Sequence, residues 1–329
     1  MKENFALVIH GGAGTILKKN MTPEIEKNYK DKLLEAINTG YSILEKGGSS
    51  IECVEKVIRI LEDSPLFNAG KGAVFTNEGT NEMDASIMDG KTLNAGAVAG
   101  VKTIKNPISA ARLVMKKSPH VMLAGKGAEA FAKHNGLEIV DPSYFYNEIR
   151  HQQWLKVKQQ EEDKEQNDEN GGYNLPGSSE TEFNLNIEGD DQHYGTVGAV
   201  ALDRMGNIAA GTSTGGMTNK RWGRIGDSPI IAAGTYADNN SCGVSCTGHG
   251  EYFIRTVAAY DVAARMKYLH TGVQEAAGQV IHGKLEELGG KGGIIAMDAE
   301  GNIAIEFNTT GMYRASISSN SKAMVAIYK

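Results

Sequence analysis

The sequence has 329 residues, enough for one large or two ordinary domains, and its 40% hydrophobic and 22% charged residues are typical of a soluble globular protein. A formal net charge of -6, with no Lys/Arg block interleaved with aromatic residues, argues against a nucleic-acid partner. Three cysteines are too few for a disulfide framework and no CxxC pair suggests zinc, so a reducing compartment fits best.

The N-terminal segment MKENFALVIHGGAG enters an apolar, strand-like stretch within five residues. It lacks the basic region, the longer apolar region and the small-residue cleavage site of a signal peptide. No stretch of the chain approaches the roughly 20 apolar residues that a membrane helix needs. We therefore predict a cytoplasmic protein that has no membrane partner.

The first half of the chain predicts strands and helices in alternation. Residues 5–9 read as a buried strand, and residues 74–101 alternate short apolar runs with turn signals, which predicts a sheet of short strands. Apolar residues at helical spacing, such as Leu33, Ile37 and Leu44, predict helices. The predicted helices are residues 22–46, 49–62, 107–117 and 122–134.

A change of composition marks a linker at about residues 156–195. Between residues 159 and 191 the sequence is acidic, rich in amides and poor in large apolar side chains, which is typical of a solvated segment. Loops of this length are uncommon inside a compact domain unless they are functional or are linkers. We predict a flexible linker that ends at the Gly195–Thr196 junction, where an apolar, strand-like segment begins.

After the linker the sequence contains an internal repeat. Residues 201–217 resemble residues 296–312, and each predicts a hairpin around an Asp-x-x-Gly-Asn turn. Between them, residues 250–269 and 273–288 have helical periodicity. Strands followed by helices and then by strands predict an α+β fold in which helices cover antiparallel sheets.

Two short motifs imitate an α/β-hydrolase. HGGAG at residues 10–14 is similar to an esterase oxyanion loop, and GTSTG at residues 211–215 matches G-x-S-x-G with Ser213 as nucleophile. That motif requires a helix directly after the serine, whereas residues 215–229 contain four glycines and a proline. We therefore disfavour a serine hydrolase. GKGAV at residues 70–74 likewise lacks the spacing of a phosphate loop.

The histidines and cysteines predict neither a metal site nor another nucleophile. The eight histidines include no HExxH pair. His249 is an isolated histidine, for which a role in packing or at the surface is the simplest interpretation. Cys246 has no evident base beside it in the sequence and reads as a small buried residue.

Seven segments form a denser pattern: VIHGGAG, SPLFNAGKGAVFTNEG, EMDASIMDG, HYGTVGAVALD, GTSTGGMTNK, GRIGDSP and SCTGHGEYFIR. Together they resemble the plant-type (type III) L-asparaginase or isoaspartyl peptidase family of N-terminal nucleophile hydrolases. The resemblance covers most of the chain and lapses only in residues 156–191. It implies an α+β fold built as a four-layer αββα sandwich.

The resemblance implies that the chain cuts itself between Gly195 and Thr196. Residues 1–195 would become an α subunit and residues 196–329 a β subunit that begins with the nucleophile, both forming one folded domain. A threonine hydroxyl is a weak nucleophile, whereas a free α-amino group has an ordinary pKa of about 7.7–8.0, close to working pH. After cleavage Thr196 would carry both the nucleophile and its base.

Four further catalytic residues follow from the resemblance. Thr214 would hydrogen-bond the nucleophilic threonine, and Asn68 would help to orient the reacting groups. Thr247 and the amide of Gly248 would form the oxyanion hole, where the loss of one donor typically costs about 10² to 10³ in rate. Each of these residues also has a local explanation as a strand end or a turn.

Two charged residues in the segment GRIGDSP are candidates for substrate binding. The resemblance implies that Arg224 meets the α-carboxylate of an amino acid and that Asp227 meets its α-ammonium, with Thr247 and Gly248 also touching the substrate. A guanidinium suits a carboxylate because its fork of N–H donors is bidentate. A surface salt bridge is the alternative.

The resemblance also implies a structural Na⁺ held by backbone carbonyls near the active site, and no cofactor for catalysis. It implies a dimer of αβ heterodimers as the assembly. The implied sodium ligands are the carbonyl oxygens of Leu61, Glu62, Ser64, Phe67, Ala69 and Lys71.

We therefore predict a self-cleaving threonine hydrolase that acts on β-aspartyl (isoaspartyl) dipeptides and L-asparagine. A glycosylasparaginase-like amidohydrolase is a close alternative, because it resembles the same fold and nucleophile. A non-catalytic ligand-binding protein with an uncut linker is a second alternative, which requires only that the chain stay whole.

Overall fold

The computed structural model describes residues 4–168 and 195–329, and these residues fold as an α+β protein, as predicted. The strands are β1 (Ala6–Gly14), β2 (Met83–Asp89), β3 (Ala95–Val101), β4 (Met122–Ala124), β5 (Val197–Leu202), β6 (Ile208–Thr214), β7 (Thr235–Ala237), β8 (Cys242–Gly248), β9 (Gly292–Asp298), β10 (Ile303–Phe307), β11 (Gly311–Ser318) and β12 (Ser321–Tyr328). The helices are α1 (Pro23–Glu45), α2 (Ser50–Glu62), α3 (Pro107–Lys117), α4 (Gly125–His134), α5 (Glu148–Asp168), α6 (Gly250–Thr256), α7 (Ala258–Leu269) and α8 (Val273–Gly278), which continues as a π-helical segment (Gln279–Leu285).

The strands form two sheets. The larger has eight strands in the order β12-β11-β1-β5-β6-β2-β3-β4, antiparallel except for the parallel pair β3 and β4. The smaller has four antiparallel strands in the order β10-β9-β8-β7. Since β5 and β6 lie between β1 and β2, strands from both sides of residues 169–194 alternate in the larger sheet.

The first two helices begin at capping residues and bury one apolar face. The side chain of Thr22 accepts a hydrogen bond from the N–H of Ile25 at the start of α1, and the side chain of Ser49 accepts one from Glu52 at the start of α2. Helix α1 packs on β1 and β11, and α2 packs on β5 and β6. The buried face of α2, which includes Val54 and Ile58, therefore supports the central strands of the larger sheet.

Apolar residues also fill the space between the two sheets and the space beyond the smaller one. Val8 and Val200 of the larger sheet share a core with Ile295 and Met297 of the smaller sheet. Helices α7 and α8 pack on the smaller sheet around buried residues such as Val262. These contacts hold β5 and β8, which carry the candidate catalytic residues, against one another.

Most predicted elements are confirmed, and two bounds are corrected. The helices, the strand at residue 5 and the two hairpins occur where the sequence predicts them. Strand β1 continues to Gly14, so HGGAG is part of a strand. The predicted helix 122–134 begins at Gly125, because residues 122–124 pair with β3.

The predicted flexible linker begins too early in the sequence. Residues 156–168 belong to α5, which has no buried apolar stripe and forms from residues with good helix propensity, mainly Glu, Gln and Lys. Side chains near its start hold it to the protein: the indole N–H of Trp154 donates to Asn219, and the guanidinium of Arg150 donates to the carbonyl of Leu66. The remainder of the predicted linker, up to residue 194, lies outside the described residues.

Within the described residues, no helix combines the length and the apolar character that a membrane span requires.

Candidate active site

The predicted nucleophile lies at the start of β5. Thr196 is buried, with 8% of its surface exposed, and its Oγ1 lies 3.0 Å from the Oγ1 of Thr214. The hairpin explains this contact, since β5 and β6 pair in antiparallel register with Val197 opposite Ser213. The first residue of the hairpin therefore meets its last residue. The structure thus brings the two threonines together.

The peptide carbonyl before Thr196 is held by Asn68. The N–H of Asn68 donates to the carbonyl oxygen of Gly195 at 2.9 Å. A Cβ at Gly195 would lie 2.8 Å from that same nitrogen, so a larger residue does not fit this approach. The side chain of Asn68 donates to the Gly216 carbonyl at 2.7 Å and accepts from the N–H of Val74 at 3.0 Å. Asn68 thus touches the predicted cleavage site directly.

The predicted oxyanion-hole residues end β8. Thr247 is fully buried, and its Oγ1 accepts a hydrogen bond from the N–H of Ala13 at 3.3 Å, which leaves the hydroxyl proton to donate elsewhere. Gly248 has a φ of +145° and lines the same cleft as Thr196. A Cβ at Gly248 would lie 2.4 Å from the carbonyl of Lys291, so glycine is required there.

Arg224 lies in the wall of this cleft and is already paired. Its Nε donates to Oε1 of Glu251 at 2.8 Å, and its Nη2 donates to Oε2 at 2.9 Å, a bidentate pair in which both side chains are partly exposed. The sequence did not predict Glu251. The pair occupies Nε and one N–H of Nη2, and no hydrogen bond from Nη1 is found among the described residues, so this edge of the guanidinium can meet a ligand.

Asp227 lies in the same cleft with a buried carboxylate. Only 4% of the residue is exposed, and Oδ2 has no hydrogen-bond partner among the described residues. Burial raises the pKa of this carboxyl to about 7, and the nearby charge of Arg224 opposes the shift. An unpaired buried carboxylate oxygen is a strong acceptor for an ammonium group.

The cleft, together with the open solvent space at its mouth, has a volume of about 340 Å³. The lining includes His249, which directly follows β8. The sequence allowed this histidine to line a pocket but favoured a role in packing or at the surface. The lining residues are Thr196, Thr214, Gly216, Met217, Arg224, Gly226, Asp227, Ser228, Gly248 and His249.

His10 touches the nucleophilic residue and was missed in the sequence. It is completely buried in β1, with Nδ1 3.0 Å from the carbonyl oxygen of Thr196 and Nε2 2.9 Å from Oγ of Ser245. Burial lowers the pKa of the imidazole to about 3, so the ring is neutral at working pH. Gly198, opposite His10 in β5, leaves room for the ring, since a Cβ there would lie 2.3 Å from Nε2.

The residues considered as other nucleophiles are unsuited to the role. Ser213 lies fully buried within β6 and donates to Oε1 of Glu62 at 2.6 Å, with no helix following it. Cys246 is fully buried in β8, and burial raises the pKa of its thiol well above the ordinary value. Both outcomes agree with the sequence interpretation.

Asn219 anchors the loop that carries Arg224, a role that the sequence did not predict. Its backbone has a φ of +62°, and it is 4% exposed. Its Oδ1 accepts from the indole N–H of Trp154 at 3.1 Å and from the side chain of Asn77 at 3.1 Å, and its Nδ2 donates to Glu161 at 2.8 Å. One side chain thus ties helix α5 and a turn of the first half to the loop lining the cleft.

The six predicted sodium ligands lie on one loop around Asn68. Leu61 and Glu62 end α2, and the other four follow within the next nine residues: Ser64, Phe67, Ala69 and Lys71. Among the described residues, no three His, Cys, Asp or Glu side chains could hold a metal ion. The ligands that the resemblance implies are backbone carbonyls.

The loop has the chemistry that Na⁺ requires. Carbonyl oxygens are hard donors suited to a hard cation. The loop is tightly folded, because Gly70 has a φ of +52° and a Cβ there would lie 2.4 Å from the carbonyl oxygen of Glu62. The Oε2 of Glu62 is buried without a hydrogen-bond partner among the described residues. These residues fit a bound cation.

Comparisons with known proteins agree with this site. A sequence model of a family described as asparaginase matches residues 3–327. The isoaspartyl peptidase of Escherichia coli K12 is 50% identical over 94% of this chain and 91% of its own length. A probable isoaspartyl peptidase/L-asparaginase 2 of Arabidopsis thaliana is 45% identical over 99% of both chains, and a plant-type L-asparaginase of Pyrococcus abyssi is 42% identical over 93% of this chain and 94% of its own. With the family model covering nearly its whole length, the chain belongs to the asparaginase family.

Proposed function

We propose that this protein cuts its own Gly195–Thr196 bond and then hydrolyses β-aspartyl (isoaspartyl) dipeptides and L-asparagine. The relatives carry the names of these two activities. The observation that carries the proposal is the position of Thr196, which follows the acidic, amide-rich segment of the sequence and lies in one cleft with Arg224 and Asp227. The names of these relatives favour this function over a glycosylasparaginase-like one.

Self-cleavage begins when Oγ1 of Thr196 attacks the carbonyl carbon of Gly195. Negative charge develops on the carbonyl oxygen, which already accepts a hydrogen bond from the Asn68 N–H at 2.9 Å. The peptide nitrogen leaves with a proton, and an ester joins the two residues. Water then hydrolyses the ester, which releases the carboxylate of Gly195, the free amine of Thr196 and its hydroxyl.

The same hydroxyl attacks the substrate after cleavage. The free α-amine of Thr196 takes the hydroxyl proton, since its ordinary pKa of about 7.7–8.0 lies near working pH. Thr214, 3.0 Å from the nucleophilic oxygen, orients it, and Thr247 and the Gly248 amide stabilise the oxyanion. The amine or ammonia leaves with the proton, and water hydrolyses the aspartyl ester to restore Thr196.

Two charged groups select an aspartyl residue with free ends. The open Nη1 edge of Arg224 binds the α-carboxylate, and the unpaired Oδ2 of Asp227 accepts from the α-ammonium. Glu251 keeps the guanidinium in place through its bidentate pair. An internal asparagine lacks both charged ends, so the site rejects folded proteins as substrates.

The architecture and assembly complete the proposal. We infer a four-layer αββα sandwich of the N-terminal nucleophile type, since helices pack on each sheet and an apolar core separates the sheets. Residues 1–195 form the α subunit and residues 196–329 the β subunit of one domain. Two such αβ pairs form a dimer, and the protein acts on small molecules in the cytoplasm without nucleic-acid or membrane partners.

We also propose that the carbonyl oxygens of residues 61–71 described above hold a structural Na⁺. The ion would keep the loop around Asn68 in place and take no part in the reaction. Thermal unfolding in sodium chloride and in choline chloride at equal ionic strength tests this proposal. A higher Tm in sodium supports the ion, and equal Tm values across a wide sodium range would contradict it.

Intact masses of the purified protein test the central proposal. We expect two fragments, residues 1–195 and 196–329, and a Thr196→Ala variant that stays whole and inactive. A wild-type chain that remains uncut but hydrolyses a β-aspartyl dipeptide at full rate would overturn the proposal. So would a cut at another bond with none after Gly195. An uncut and inactive wild-type chain would support the ligand-binding alternative.

A further inference from the structure

A row of buried hydroxyl groups crosses the space between the two sheets behind the cleft. We call Ser245, Thr212, Thr235 and Ser86 the hydroxyl chain. The oxygen of Thr212 lies 2.7 Å from that of Ser245 and 2.5 Å from that of Thr235, and the oxygens of Thr235 and Ser86 are 2.8 Å apart. All four residues have no exposed surface. Ser86 also lies 2.6 Å from the carbonyl of Ser228, a lining residue of the cleft.

The other end of the hydroxyl chain reaches the nucleophilic residue through His10. The carbonyl oxygen of Thr196 can only accept, so the Nδ1 of His10, 3.0 Å away, must carry the proton. In a neutral ring the second nitrogen then accepts, so the hydroxyl of Ser245 must donate to Nε2 at 2.9 Å. The first hydroxyl of the chain therefore donates to Nε2 of His10, the ring nitrogen that does not contact Thr196.

The remaining protons follow in one direction. Since Ser245 donates to the histidine, its oxygen accepts from Thr212, which in turn accepts from Thr235. The single hydroxyl proton of Ser86 is shared between the Ser228 carbonyl at 2.6 Å and Thr235 at 2.8 Å. The Gly234 carbonyl, 3.1 Å from the Thr212 oxygen, shares the Thr212 proton. Every interior hydroxyl donates and accepts, and hydrogen bonds aligned head to tail polarise and strengthen one another.

Such a chain needs an explanation, because apolar residues surround it. The two sheets meet through side chains such as Val8, Val200 and Met297, and more apolar residues could fill the same space. A buried polar network is often no more stabilising than an apolar core of equal volume. Its residues come from both sheets, with Ser86 and Thr212 in the larger and Thr235 and Ser245 in the smaller.

We propose that the hydroxyl chain positions Thr196 for both of its reactions. By fixing His10 as a donor to the Thr196 carbonyl, the chain holds the backbone of Thr196, the residue directly before β5, and hence the direction of its Oγ1 and its α-amine. The proposal rests on the proposed role of Thr196 as nucleophile. It makes Thr212 and Ser245 positioning residues, since neither borders the cleft.

A matched pair of substitutions at Thr212 tests the proposal. Thr212→Val keeps the volume and removes the hydroxyl, whereas Thr212→Ser keeps the hydroxyl and removes a methyl group. If packing alone matters, Thr212→Ser should have the lower kcat. If the hydroxyl chain matters, Thr212→Val should have the lower kcat. Loss of one buried hydrogen bond in the chain should lower kcat for a β-aspartyl dipeptide about tenfold and slow self-cleavage about as much.

The measurements are kcat, KM, the half-time of fragment formation and Tm for each full-length variant. We expect Thr212→Val to lose kcat with KM within about twofold of wild type, and Thr212→Ser to stay within about threefold in both. A Thr212→Val variant with normal kcat and normal self-cleavage would overturn the positioning role. So would a Thr212→Ser variant whose kcat falls as far as that of Thr212→Val.

Ser245→Ala provides an independent variant if Thr212→Val does not fold. It should show the same loss of kcat with unchanged KM, and an unaltered kcat would refute the proposal. Loss of the fold in both variants would replace the positioning role by a purely structural one. Thr196→Ala separates this proposal from the proposed function. If Thr196→Ala is cut and hydrolyses the dipeptide, the proposed function is wrong. If Thr196→Ala is uncut and inactive while Thr212→Val behaves like the wild type, only the positioning role of the hydroxyl chain is wrong.

Discussion

The Arg224→Lys substitution should reduce kcat/KM for β-aspartyl dipeptides while leaving self-cleavage nearly unchanged. The guanidinium of Arg224 makes a bidentate pair with Glu251 through Nε and Nη2 and keeps its Nη1 edge free. A lysine ammonium has no second edge at a fixed angle, so it must be shared between Glu251 and the substrate carboxylate. Self-cleavage involves no free amino acid and therefore does not use this contact.

The size of the effect follows from one lost charge-assisted hydrogen bond. Hydrogen bonds to charged groups contribute about 1.5–3 kcal/mol, which corresponds to about 10- to 150-fold in kcat/KM. Arg224 has only 20% of its side chain exposed, so water replaces the lost contact poorly. Acetylation of the substrate's α-amino group should lower kcat/KM by at least the same factor, because it leaves the buried carboxylate of Asp227 without its ammonium partner.

The assay compares a β-aspartyl dipeptide with its N-acetylated and α-carboxamide forms, on wild-type and variant enzymes. Arg255→Lys serves as the control, since Arg255 lies on the same helix as Glu251 but is exposed outside the cleft. Rapid hydrolysis of the blocked compounds, or an Arg224→Lys enzyme with undiminished kcat/KM, would remove Arg224 and Asp227 from substrate binding. An uncut Arg224→Lys chain would show that the loop also acts in maturation.

Three further results are expected. Burial raises the pKa of Asp227 to about 7, so its carboxyl is protonated below that pH, and KM should rise by up to about tenfold per pH unit as the pH falls through 7. A constant KM between pH 8 and 5.5 would contradict this. Burial lowers the pKa of His10 to about 3, so between pH 6.5 and 3 only the unfolded chain binds a proton on this histidine, and the free energy of unfolding should fall as pH falls through that window. The urea midpoint should therefore depend less on pH in His10→Asn than in the wild-type protein. Gly70→Ala should lower the free energy of unfolding by about 1–3 kcal/mol, since its φ is +52° and a Cβ would lie 2.4 Å from the Glu62 carbonyl oxygen; an unchanged Tm would show that the loop adapts.

The sequence by itself determined the local structure and the identity of the candidate nucleophile. Apolar residues at helical spacing predicted α1 and α2, and the two Asp-x-x-Gly-Asn turns predicted the hairpins. These signals are local, since helical spacing and turns involve residues within a few positions of each other. The abrupt change of composition at Gly195–Thr196 identified the start of β5.

Helix α5 shows the limit of local signals on the surface. Its sequence has no apolar stripe, so the same acidic and amide-rich composition describes both a solvated helix and a linker. Contacts with distant residues, such as Trp154 with Asn219, accompany the helix in the folded protein. Composition alone therefore placed the start of the linker too early.

Only the tertiary structure added His10 and Glu251 to the candidate site. The partners of Thr196 and Arg224 are His10 and Glu251, and the chain gives no sign of either pairing because 186 and 27 residues separate the partners. The hydroxyl chain from Ser86 to Ser245 likewise joins strands of two different sheets. Such contacts depend on how the sheets pack, and packing brings together residues whose positions in the chain carry no common pattern.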